Sequence, residues 1–134
     1  EEEQVRAVYD YGMGVGLSFQ IPDDLLDFFG DEGTVGKPVC GDLKIGILTL
    51  PVIHALQHAP KRAELRELIL TRSIDDAEVE RVKEILTEAG SFDYARQKAR
   101  EHIDRAVRAL DQVPTLATRP ALKTLADFVI NRNF

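Results

Sequence analysis

The run from Ser91 to Leu110, SFDYARQKAREHIDRAVRAL, does most to limit what this chain can become. Phe92, Ala95, Ala99, Ile103, Ala106 and Leu110 recur at three- and four-residue spacing, which lines them up on one face of a helix. The alanines on that stripe let a second helix approach closely. No segment alternates apolar and polar residues at period two for long, so a sheet has no strands to draw on. Helical patterning is predicted over residues 1–20, then in PDDLLDFF, ILTLPVIHALQH, KRAELRELILT, SIDDAEVERVKEILTEAG and RPALKTLADFVINRNF. The expected class is all-α, with six or so helices and no internal repeat.

Punctuation fits that division. Thr49 is placed to cap a helix with Pro51 in its first turn, and Ser73 or Asp75 to cap another that Gly90 ends. Residues 30–46, GDEGTVGKPVCGDLKIG, hold five glycines and a proline without a sustained period, and are predicted to be loop. In the first helix Val5, Val8, Tyr9, Gly12, Gly16 and Phe19 share a predicted packing face. Each glycine there costs about 1 kcal/mol relative to alanine. Close approach of another backbone at Gly12 and Gly16 would offset that cost, and a loop over residues 12–16 is the alternative. The last helix is expected to pack through Leu122, Leu125, Phe128 and Val129.

Composition narrows the function. The 134 residues suit one ordinary domain, and 44% hydrophobic with 30% charged residues is a globular balance. A net charge of −6 argues against a general nucleic-acid binder, and an anionic ligand would need a cation to bridge it. The lone Cys40 rules out an internal disulfide, so a reducing, cytoplasmic setting is expected. No apolar run approaches a membrane span. The chain lacks an initiator methionine and begins in helical sequence, so it is expected to be a piece of a longer protein.

Asp23, Asp24 and Asp27 crowd into one helical turn beside Phe19, Ile21, Leu25, Leu26, Phe28 and Phe29. On a helix Asp23 and Asp27 lie about 40° apart, and Asp24 and Asp27 about 60°. Two readings stand. If Pro22 opens a new helix, Asp23 and Asp24 are ordinary first-turn acids favoured by the helix dipole. Otherwise the trio is a site for Mg²⁺, a hard ion that takes one or two carboxylates plus substrate phosphates. Backbone N–H groups of the glycine-rich stretch, with Lys37 as a point charge, could then meet a phosphate. A Walker loop is absent, and GLSFQ is not a nucleophile elbow.

Taken in order, Phe19-Gln20, Asp23-Asp24, Asp27, Gly30-Asp31, Gly36-Lys37, Gly41 followed by Asp42-Leu43, and Thr49-Leu50-Pro51 resemble the second Asp-rich motif of the trans-isoprenyl diphosphate synthases, the polyprenyl synthetases. The later segments AGSFDYARQKAREHIDRAVRAL and RPALKTLADFVINR agree more loosely with the family's closing helices. The resemblance implies that residues 1–134 are the C-terminal part of a single domain, an isoprenoid-synthase-type helical bundle. It implies an enzyme that condenses isopentenyl diphosphate with an allylic diphosphate, using Mg²⁺ to stabilise the diphosphate leaving group. By position Asp23 would be the leading metal ligand, with Asp24 and Asp27 as ligands or supports. Lys37 would contact the diphosphate, Phe19 and Gln20 would line the site near the reacting carbons, and Arg132 is a weaker diphosphate candidate. A homodimer is expected from the family.

Departures from the pattern matter. The family's first Asp-rich motif and its isopentenyl-diphosphate-binding basic residues lie upstream and are not in this sequence, so the chain by itself is expected to be inactive. Ile47 stands where many relatives carry lysine, a charge that Lys44 could replace. Asp75-Asp76 reads as a helix start. A non-catalytic subunit of a heteromeric prenyl diphosphate synthase is the rival reading. A terpene cyclase is a lesser one, since the Asn/Ser/Glu-type motif is missing. His54 and His58 have the i,i+4 spacing of a metal pair but no glutamate between them, and together with His102 are read as helix-surface histidines. Cys40 is read as a small semi-buried residue rather than a reactive thiol, and Tyr9 and Tyr11 as packing residues.

Overall fold

The computed structural model describes residues 2–29, 40–70, 74–113 and 117–130. Among them are seven helices and no strand: α1 Glu2–Phe29, α2 Gly41–Lys44, α3 Leu50–His58, α4 Arg62–Leu70, α5 Asp76–Glu88, α6 Ser91–Asp111 and α7 Arg119–Ile130. They divide into two compact units, Glu1–Pro22 with Arg96–Phe134, and Asp23–Ala95.

In the first unit α1 is helical throughout residues 12–16, so the loop alternative fails. Its packing face differs from the predicted one. Ala7, Tyr11, Gly14 and Ser18 are buried, whereas Val5 and Tyr9 are 67% and 65% exposed and Val8, Met13, Leu17 and Phe19 are also exposed. The glycine that matters is Gly14. A Cβ there would lie 2.7 Å from both Ala106 Cβ and the His102 carbonyl oxygen, while Gly12 and Gly16 face open space. Close approach brings polar ties with it. The Ser18 hydroxyl donates to the Ala99 carbonyl at 2.7 Å, and the Tyr11 hydroxyl to that of Leu122 at 2.8 Å. Burial raises the Tyr11 phenol pKa above its ordinary value.

Tyr11, Ile103, Ala106, Leu110, Ala126 and Val129 form the core of this unit, with Val15, Val107 and Leu122 packed against it. All six residues of the predicted α6 stripe are buried. In α7 the inward residues are Leu122, Ala126 and Val129. Leu125 and Phe128 point outward, because an alanine at the close contact displaces the larger side chains from the face.

In the second unit α3, α4 and α5 pack on one another. Arg81 of α5 grips Glu64 of α4 with two parallel bonds, Nε to Oε1 at 2.6 Å and Nη2 to Oε2 at 3.0 Å, a match of planar guanidinium to carboxylate. Asp75 caps α5 through a reciprocal box with Glu78. Gly90 at φ 64 ends that helix in a conformation that disfavours a Cβ, and α6 begins at the next residue. Thr49 stands at the N-cap of α3, but its buried hydroxyl makes no cap bond and has no partner among the described residues. The stretch expected to be loop contains one helical turn, α2. At the end of α1, Phe28 and Phe29 meet Phe92 edge-on at 5.4 and 4.7 Å, which seats the acid-bearing turn against the start of α6.

Candidate functional site

The acid trio sits within an unbroken helix. Pro22 does not open a new helix; α1 runs through it to Phe29. Asp23, Asp24 and Asp27 therefore lie late in a 28-residue helix, and Asp27, in its last turn, meets exposed carbonyls that make the local field unfavourable to an anion. The first-turn reading of these acids is thereby removed. All three are half-buried.

For Asp27 the compensation is visible. Its Oδ1 accepts from the Gly41 N–H at 3.0 Å and its Oδ2 from the Asp42 N–H at 3.2 Å. Its carbonyl oxygen accepts from the Cys40 N–H at 2.7 Å. Three consecutive backbone donors thus converge on one residue. The arrangement requires Cys40 in the left-handed region at φ 56, which costs about 1–2 kcal/mol for a non-glycine residue. Nothing local in the sequence announces this turn, and its donors come from 13 to 15 positions downstream of Asp27, beyond reach of any helix periodicity.

Cys40 is fully buried, more so than expected. Its thiol pKa is pushed up to about 11, first by burial and then by the charges of Asp27 and Glu80, partly opposed by Lys83 and Lys44. It is held as a neutral, unreactive thiol at physiological pH. Lys44 pairs with Asp76 at 3.0 Å. Phe19 and Gln20 lie one turn before Asp23 on the same helix, both exposed. Lys37, Arg132 and the positions Gly30, Asp31 and Gly36 fall outside the described residues.

Among the described residues no group of three or more His, Cys, Asp or Glu side chains is arranged to hold a metal ion, so the acid trio does not form a three-carboxylate site. One or two carboxylates suffice for Mg²⁺, which keeps water and takes its remaining ligands from a phosphate-bearing substrate. Asp23 and Asp24 fit that donor set. No helix of the described residues is long and apolar enough to cross a membrane.

The all-helical fold is that of the isoprenoid synthases, as its match to solved structures shows. Comparison with known proteins identifies the branch: the polyprenyl synthetase family profile matches residues 1–87, and the chain belongs to that family. It is 38% identical over 135 aligned positions to octaprenyl diphosphate synthase of Haemophilus influenzae, covering 99% of this chain and 41% of that protein. The geranylgeranyl pyrophosphate synthetase structure from Pyrococcus horikoshii superposes with a TM-score of 0.82 at 35% identity, covering 99% of this chain and 41% of that one. The Corynebacterium glutamicum geranylgeranyl pyrophosphate synthase, solved with calcium and isoprenyl diphosphate, gives 0.77 at 35% identity over 98% and 41%. The chain thus spans about two fifths of the length of these relatives.

Proposed function

We propose that this chain is the C-terminal part of a trans-prenyltransferase and carries half of its metal–diphosphate site. The reaction is ionisation of an allylic diphosphate, attack of the isopentenyl diphosphate double bond on the resulting carbocation, and loss of a proton to give the longer polyprenyl diphosphate. In this reading Asp23 and Asp24 hold Mg²⁺. When bound, that ion supplies positive charge where negative charge develops on the leaving diphosphate. Asp27 holds the Cys40–Asp42 turn against the end of α1 through its three accepted hydrogen bonds. Phe19 and Gln20 border the path of the reacting carbons, and Lys37 meets the diphosphate. The outward apolar residues of α1, among them Val5, Tyr9 and Met13, are the surface that the upstream part of the synthase domain would cover.

The observation that carries this reading is the pairing of Asp23 and Asp24, half-buried within a continuous helix and one turn before Asp27, whose carboxylate accepts two backbone N–H groups. The related C. glutamicum protein, solved with calcium and isoprenyl diphosphate, supports a hard divalent ion as the bridge. Incorporation of labelled isopentenyl diphosphate by the complete polypeptide tests it. Asp23→Ala should lower turnover by orders of magnitude, and unchanged turnover would remove the metal role. The 134-residue chain alone should be inactive. A homodimer is proposed for the complete protein; co-purification with a different synthase subunit would favour the heteromeric reading.

A further inference from the structure

The second unit contains a cluster that the synthase reading does not use. His54 and His58 are successive turns of α3, with ring centroids 4.8 Å apart and planes tilted by 42°. His54 is not the surface residue its spacing suggested. Its Nδ1 lies 2.9 Å from the hydroxyl of Ser91, a fully buried residue at the start of α6. Its ring stacks on Tyr94 at 4.1 Å and 21°. Ser91 and Tyr94, three apart on α6, therefore fix both the plane and one nitrogen of the His54 ring. Ser91 is too deeply buried to act as a nucleophile.

We propose that His54 and His58 chelate a borderline divalent transition metal, Zn²⁺ or Ni²⁺, through one nitrogen of each ring. With metal–nitrogen bonds of about 2.0–2.1 Å, two imidazoles on one ion at right to tetrahedral angles put their centroids roughly 4.5–5 Å apart. The rings already stand at that separation. Metal ligation at His54 Nε2 leaves the proton on Nδ1, where the Ser91 hydroxyl accepts it, as the outer partners of metal-bound histidines do. The Ser91 hydroxyl can serve as donor or acceptor, so the free and metal-bound rings are both satisfied without repacking. His58 is exposed, so water or an outside ligand completes the shell. Imidazole nitrogen selects such ions over Mg²⁺, which separates this site from the acids on α1.

The test is a Zn²⁺ titration of the 134-residue chain in a non-chelating buffer, in a background of excess Mg²⁺, followed by imidazole nitrogen NMR. Saturation at one equivalent should move His54 and His58 together and leave His102 in place. His58→Gln should weaken binding at least tenfold while leaving the helical circular dichroism unchanged, since the residue is exposed. Asp23→Asn should bind Zn²⁺ as the parent does. The same titration in the complete polypeptide covers the case in which the chain alone does not keep its helicity. No saturable binding, unchanged affinity in His58→Gln, or shifts confined to His102 or the acids would overturn the site and leave the prenyltransferase reading untouched.

Discussion

The two units hold helices together by different means. In the first, α1 meets α6 through small residues: Gly14 against Ala106, with Ser18 and Tyr11 donating to carbonyls of α6 and α7. In the second, the end of the same helix is held by a carboxylate that accepts backbone N–H groups and by aromatic edges on Phe92. One helix thus passes from a region secured by steric fit to one secured by charge. Close packing needs no counter-ion. Clustered carboxylates repel one another unless donors or cations offset their charge. Asp27 is balanced by the protein's own amides, and the proposal assigns Asp23 and Asp24 to a metal.

The largest effect that would sharpen this contrast is the one on turnover, with Asp23→Ala orders of magnitude below the parent enzyme. Asp27→Ala should behave differently. Leaving the Gly41 and Asp42 amides without their carboxylate should cost about 1–2 kcal/mol of stability, read from denaturant unfolding. The Mg²⁺ concentration for half-maximal activity of the complete protein should stay near the parent value. If Asp27→Ala instead raises that requirement as Asp23→Ala does, the distinction within the trio is broken.

In the first unit, Gly14→Ala adds helix propensity worth about 1 kcal/mol but drives a methyl group into Ala106 and a carbonyl oxygen. Overpacking of this kind costs typically 1–3 kcal/mol, so a net loss is expected in thermal unfolding. Gly12→Ala, with open space around it, should be neutral or stabilising. Equal responses at the two positions would contradict the close approach. Tyr11→Phe, which deletes only the bond to Leu122, should cost about 1 kcal/mol.

The smallest effect concerns Cys40. With its thiol fully buried and its pKa pushed up to about 11, disulfide-exchange reagents at pH 8 should modify it far more slowly than a free cysteine. The sign is that of a raised pKa: the neutral thiol favours the fold fully below its unfolded pKa, and this contribution is lost as pH rises toward 11. Rapid labelling of the native protein would show that the Cys40 turn is open.

Much of the fold was legible because burial writes a period into sequence. The α6 stripe was unambiguous, since one apolar face stands against a charged remainder. The capping box at Asp75 and the stop at Gly90 were legible because both act within a few residues. The α1 face was misread for a physical reason. Val5, Val8 and Tyr9 are more apolar than Gly14 and Ser18, yet where α1 approaches α6 closely it is the small residues that are buried. Phe128 and Leu125 lost their place to Ala126 in the same way. At the site, the acid cluster is evident in the sequence but the Asp27 hydrogen bonds are not, because their donors lie beyond a left-handed Cys40. The Ser91 and Tyr94 contacts to His54 likewise span separate helices and leave no local pattern.

Asp23 and Asp24 are proposed to bind the divalent ion that holds a diphosphate. Anomalous diffraction from the complete polypeptide crystallised with Mn²⁺ in place of Mg²⁺ and a diphosphate analogue addresses it most directly. An anomalous peak is expected within metal–oxygen bonding distance of the Asp23 or Asp24 carboxylate, with the Asp27 bonds to Gly41 and Asp42 intact. The diphosphate analogue bound with no metal at either carboxylate would contradict it.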